Sequence, residues 1–158
     1  EQPRDEKAYA RYKNLLSSDG AKTPDLSNGR NLFMRTCGSC HKMYGQGGQI
    51  GPDLTGSNRS NTDYLLFNIL NPSEEIQDDY KMVVVTTRDG RTYSGNIVGE
   101  NQRQITMRVV GQNDVVISKS SIQSKEVTPV SMMPQGLLNN LTDKETIDLL
   151  SYLQKANK

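Results

Sequence analysis

The chain has 158 residues, 19 Lys and Arg against 18 Asp and Glu, and a formal net charge of +1. That balance supplies no field that would draw the protein onto nucleic acid or an anionic membrane. A mean hydropathy of −0.69 and 6% aromatic residues indicate a modest apolar core, and no apolar run approaches the roughly 20 residues of a membrane span. The length fits one domain, or one small domain carrying an insertion.

Residues 1–25 are polar, with Tyr9, Tyr12, Leu15 and Leu16 at helical spacing. A short amphipathic helix is expected there, broken at Asp19-Gly20 and followed by a linker at Pro24. The segment reads as an N-terminal extension or the end of a linker to another domain. Residues 26–36 read as a second helix. Gly29, Phe33 and Cys37 are four apart and so lie near one face. A glycine on that face lets another helix approach closely.

That helix runs into Cys37-Gly38-Ser39-Cys40-His41. The motif contains both cysteines of the chain and its one histidine. A structural disulfide would give His41 no task. A thioredoxin-type pair would need a βαβ setting that the pattern does not show. A zinc site wants four ligands. The C-x-x-C-H spacing fits covalent attachment of haem c: two thiols on a tight turn each add to a vinyl group, and the next residue offers an imidazole to the iron. Covalent haem of this kind is attached outside the cytoplasm. An exported or periplasmic location is therefore expected, with the signal peptide already removed from this chain.

Residues 42–59 read as a glycine-rich loop without the lysine and Ser/Thr pattern of a phosphate-binding loop. Ser60 is expected to cap a third helix, with Leu65, Leu66, Ile69 and Leu70 as its apolar face and Asn71-Pro72 as its end. The period then changes. Residues 82–87, 93–98, 105–110, 115–117 and 122–127 are expected as five short strands, with Asp89-Gly90 as a hairpin turn. After Pro129 the chain is expected to return to helix. Thr142 and Glu145 form a capping box, and Ile147, Leu149, Leu150, Tyr152 and Leu153 supply the apolar stripe of a final helix.

Together these residues resemble class I cytochrome c. The resemblance rests on the Gly29, Phe33, Cys37 spacing, the C-x-x-C-H motif, Gly51-Pro52-Asp53-Leu54 as the post-haem loop, and residues 148–153 as the C-terminal helix. With its β segment the chain resembles the Pirellula/Verrucomicrobium-type haem-binding domain family, in which a cytochrome c core carries such an insertion and a Met-Met-Pro loop. The resemblance covers residues 26–155. It implies a mainly α cytochrome c fold made of 26–79 and 129–158, about 84 residues. Residues 80–128 would then be an inserted all-β subdomain resembling an SH3- or Sm-like small barrel, α+β overall. It also implies that the first and last helices cross at Gly29. Pro52 would present its carbonyl to the second nitrogen of His41, and the domain would often be fused to a larger exported protein.

His41 would be one axial ligand of the iron. No second histidine exists, so methionine is the next choice. Of the six, Met132 and Met133 lie in the irregular segment before the last helix. Met133 is the expected ligand, with Met132 second, because Pro134 holds its predecessor extended. Phe33 and Arg59 are candidates for contact with the haem pocket or a propionate. The expected function is single-electron transfer by a monohaem protein, not an enzyme, between redox partner proteins such as a dehydrogenase or an oxidase. The alternatives are a haem enzyme or gas-binding sensor with an open distal site, and a docking module that uses the β insertion. A nucleic-acid partner is not expected, because no basic stripe interleaved with aromatics is present.

Overall fold

A computed structural model describes residues 4–156. The chain divides into two compact units, residues 1–74 with 134–158, and residues 75–133.

The first unit is helical. Its elements are α1 (Glu6–Leu16), a 3-10 turn (Asp19–Lys22), α2 (Leu26–Thr36), two-residue strands β1 (Lys42–Met43) and β2 (Gln46–Gly47), α3 (Thr62–Leu70) and α4 (Asp143–Lys155). Each helix starts on a side chain that accepts one of its free N–H groups. Asp5 accepts from Ala8, Asp25 from Asn28, and Asn61 from Tyr64. Asn61, rather than the expected Ser60, caps α3; Ser60 lies one residue too early to reach the first turn. Thr142 and Glu145 form a complete capping box, with the Glu145 N–H donating to Thr142 Oγ1 at 3.1 Å and the Thr142 N–H to Glu145 Oε1 at 3.0 Å.

Gly29 fixes the central contact of this unit. A Cβ at that position would lie 2.1 Å from the Asp148 carbonyl oxygen and 2.7 Å from Tyr152 Cβ, so only glycine lets α2 and α4 cross this closely. One turn on, the Phe33 and Tyr152 rings pack tilted at 5.7 Å between centroids. Leu32, Phe33, Leu66, Leu149 and Leu150 are almost wholly buried in the core around this crossing. Tyr9 and Tyr12 are 2% exposed, and Tyr9 Oη donates to Asn71 Oδ1 at 2.9 Å, which ties α1 to the end of α3.

The second unit is one antiparallel sheet: β3 (Lys81–Thr87), β4 (Thr92–Glu100), β5 (Gln104–Arg108), β6 (Val115–Ser118) and β7 (Ile122–Ser131), in the order β6-β5-β4-β3-β7. The β3–β4 hairpin turns at Asp89-Gly90, where Gly90 has φ +87°. Val83, Val85, Ile105, Met107 and Ile117 form its core. The sheet is not closed between its two edge strands. β6 is four residues long, and a 3-10 turn (Lys119–Ser121) hands the chain to β7, which pairs with β3 and not with β6. The last strand also runs through Pro129 to Ser131, where helix was expected. A proline lacks only the N–H donor, and an edge strand has one side on which that donor is not needed.

Candidate functional site

The site is built at the end of α2. The Cys37 and Gly38 N–H groups both donate to Phe33 O, at 2.7 and 2.8 Å, which stops the helix. The chain then tightens into a turn in which the Cys40 and His41 N–H groups both donate to Cys37 O, at 3.1 and 2.9 Å. One short turn thus carries both thiols and the imidazole. The cysteines are free thiols and both are half-buried. Burial pushes the Cys37 thiol up to about 12, and the neighbouring Cys40 adds to the shift, so Cys37 stays a neutral thiol near pH 7.

The following segment folds back along this turn. Tyr44 and Gly45 both have positive φ, 51° and 82°, the type I′ geometry that reverses a two-residue hairpin. Here they join β1 to β2. Gly48 N–H then donates to Gly38 O at 2.8 Å, and Gly51 N–H to Cys40 O at 2.7 Å. These bonds bring Gly51-Pro52 beside the histidine. A Cβ on Gly51 would lie 2.5 Å from His41 Cε1 and 2.7 Å from His41 Nδ1, so the glycine leaves the room that the ring occupies.

His41 Nδ1 is 2.8 Å from Pro52 O. A carbonyl only accepts, so Nδ1 carries a proton and donates, and in the neutral ring Nε2 keeps a free lone pair. A metal-ligating histidine is usually oriented in this way, with the other ring N–H given to a carbonyl or carboxylate. Two free thiols and an imidazole with an available nitrogen on one turn fit the covalent haem that the spacing suggests. Among the described residues no group of three or more His, Cys, Asp or Glu side chains gathers into a metal-holding cluster, so a zinc-type ligand set is not assembled.

Other candidates stand as follows. Phe33 is 1% exposed and packs on Tyr152, within the helix crossing. Met132 and Met133 are half-buried in the second unit, and the Met133 N–H donates to Ser131 Oγ at 3.0 Å. Arg59 is 8% exposed, and its donors meet protein oxygens. Its Nε donates to Leu54 O at 2.9 Å. One terminal nitrogen donates to Leu153 O and to Ala156 O, the latter at 3.5 Å. The other donates to Tyr44 Oη at 3.0 Å and Thr55 O at 3.2 Å. A guanidinium has five N–H groups, and five oxygens take them.

Two side chains take hydrogen-bonding roles that the sequence does not announce. Tyr44 Oη receives Arg59 and donates to Ala156 O at 2.6 Å. Asp148, 2% exposed, accepts from the Asp25 N–H, Asn28 Nδ2 and Lys144 Nζ, each at 2.9 Å. Burial alone would raise the Asp148 carboxyl, but the hydrogen bonds from Lys144, Asn28 and Asp25 outweigh it and hold it below the usual carboxylate value. A charged residue inside the apolar stripe of α4 is the one signal in the sequence that pointed to Asp148.

The family model described as cytochrome c matches residues 26–106, slightly over half of the chain. The matched span holds α2, the C-x-x-C-H turn, the Gly51-Pro52 loop and α3, and ends within β5. No curated protein matches the chain.

Proposed function

This chain belongs to the cytochrome c family, and on that premise we propose that it is a monohaem electron carrier with His41 and Met133 as the axial ligands of its iron. Members of the family bind haem c and usually transfer electrons rather than catalyse reactions. The haem supplies the one-electron change between ferrous and ferric iron. Everything else falls to the protein.

In this reading Cys37 and Cys40 hold the haem through thioethers, which keeps it in place in both oxidation states. His41 offers Nε2 to the iron. The observation that carries the reading is the 2.8 Å bond between His41 Nδ1 and Pro52 O, beside two free thiols on the same turn. That bond selects the tautomer, fixes the ring plane and raises the basicity of the ligating nitrogen. A histidine and a methionine together fill both axial positions and leave no place for substrate, which suits electron transfer. Met133, with Met132 as the second choice, is supported by the Met-Pro sequence alone.

The partners are proposed to be redox proteins, a dehydrogenase or an oxidase, in an exported compartment, where cytochrome c domains usually work. No helix among the described residues is long and apolar enough to cross a membrane.

The test is spectroscopic. Absorption spectra of the ferric and ferrous protein, with and without carbon monoxide, should be low-spin, with a methionine-to-iron charge-transfer band and no rapid change on adding the gas. A high-spin spectrum that shifts at once with carbon monoxide refutes the electron-carrier reading. Mass spectrometry of denatured protein should retain the haem, and lose it only when both Cys37 and Cys40 are replaced by serine.

A further inference from the structure

Arg59 is 8% exposed, and each of its acceptors is a neutral oxygen. A buried guanidinium is costly unless its donors are satisfied, and here they are spent in two directions. Leu153 O and Ala156 O belong to the last turn of α4, where free carbonyls and the negative end of the helix dipole favour a cation. Leu54 O and Thr55 O belong to the loop that begins at Gly51-Pro52. Tyr44 joins both sides: its hydroxyl links Arg59 to Ala156 O, its ring lies 5.6 Å from the guanidinium carbon, and its N–H donates to Thr55 Oγ1 at 2.8 Å.

We propose that Arg59 and Tyr44 form a clamp that positions His41, by fastening the loop that carries the Pro52 carbonyl to the C-terminal end of α4. The proposal rests on the reading of His41 as the proximal ligand. Pro52 is exposed and has no polar side chain to hold its carbonyl in place. The carbonyl lies between two anchors: the Gly51 N–H bond to Cys40 O one residue before it, and, two and three residues after it, Leu54 O and Thr55 O, which Arg59 grips. The Asp53 carboxylate, which accepts from the Thr55 N–H and Oγ1 at 2.9 and 2.7 Å, stiffens the residues between. A hydrogen bond weakens steeply once distance or angle drifts. The backbone bonds at Gly51 and Leu54 bring Pro52 to His41, and the clamp holds the far side of the loop, so the tuning of His41 by Pro52 depends on both. An ammonium group presents three donors at a point and cannot span both sides as the planar fork does.

The experiment uses the whole haem-loaded protein and two variants, Arg59→Lys and Tyr44→Phe. Three quantities are measured: exchange of the His41 Nδ1 proton by NMR in the ferrous state, the reduction potential, and thermal unfolding. In Arg59→Lys, which keeps the charge, the proton should exchange at least tenfold faster than in the wild type. A looser Pro52 bond makes the imidazole a weaker donor to ferric iron, so the ferrous-to-ferric ratio at a fixed potential should rise at least twofold. Tyr44→Phe should accelerate exchange at least threefold, and it decides the question where Arg59→Lys does not fold. If exchange stays within twofold and the potential does not move, the clamp proposal is overturned, even where the unfolding temperature falls; Arg59 would then only cap α4. If the wild type itself lacks a histidine-ligated haem, the functional reading fails together with the clamp. If the wild type has one and the variants match it, the clamp alone fails.

Discussion

Replacing Gly29 by alanine tests the helix crossing on which the haem-bearing turn is built. Helix propensity alone predicts a gain of about 1 kcal/mol, because alanine is the better helix former. The crossing predicts the opposite. The new Cβ would lie 2.1 Å from Asp148 O and 2.8 Å from Asp148 C, against a normal C···O approach of about 3.3–3.6 Å. The obstacle is backbone, so no rotamer change relieves it, and α2 and α4 must move apart by roughly 1 Å or more. Overpacking of this kind costs about 1–3 kcal/mol and sometimes more. The same movement stretches the Phe33–Tyr152 contact, now at 5.7 Å, and the two bonds that Asp25 and Asn28 give to Asp148. Net of propensity, Gly29→Ala should destabilise by up to about 2 kcal/mol, which lowers Tm by up to roughly 8–16 °C in a domain near 100 residues. The assay is thermal unfolding of the haem-loaded protein followed by far-UV circular dichroism. Gly56→Ala is the control, since no atom lies within 4 Å of its added Cβ, and it should stay within about 0.5 kcal/mol of the wild type. A Gly29→Ala protein as stable as the wild type, or more stable, would refute the reasoning.

Asp148→Ala should cost about 3 kcal/mol in urea unfolding, because it strands the Asp25 N–H and the Asn28 amide around a buried site. The Asp148 carboxyl is held below its ordinary 3.8 in the folded protein. Its stabilisation is therefore full above that value and is lost as pH falls through the lower folded value; Asp148→Asn should flatten this acid limb, and an unchanged limb counts against the assignment. Met133→Ala should abolish the methionine-to-iron charge-transfer band while Met132→Ala retains it. The reverse result assigns Met132, and a band that survives both substitutions excludes the pair. Thr142→Ala breaks the capping box of α4 and should cost about 1 kcal/mol in urea unfolding; no loss would mean that packing alone starts the helix.

Legibility in the sequence follows the separation of the partners. Thr142 and Glu145 interact across three residues, and a capping box is visible in any window of that length. The same holds for Gly29, Phe33 and Cys37, whose spacing of four puts them on one face of any α-helix. His41 and Pro52 are 11 residues apart; local pattern shows the motif and the loop, but only resemblance to known cytochromes joins them. Arg59 and Leu153 are 94 apart, and Asn28 and Asp148 are 120 apart. Nothing near Arg59 says which oxygens will surround it; the fold delivers those at the end of α4 and in the 54–55 loop. Sheet closure was illegible for the same reason. Alternation marks strands, but whether β6 meets β7 depends on curvature accumulated over the whole sheet. Pro129 in β7 is the converse: a residue that reads as a breaker becomes harmless once its strand proves to be an edge, a property of neighbours rather than of sequence. The parts of the site proposed to hold the haem are therefore local and readable, whereas the parts proposed to steady its ligand are remote. The remote contacts are the ones that mutation must test.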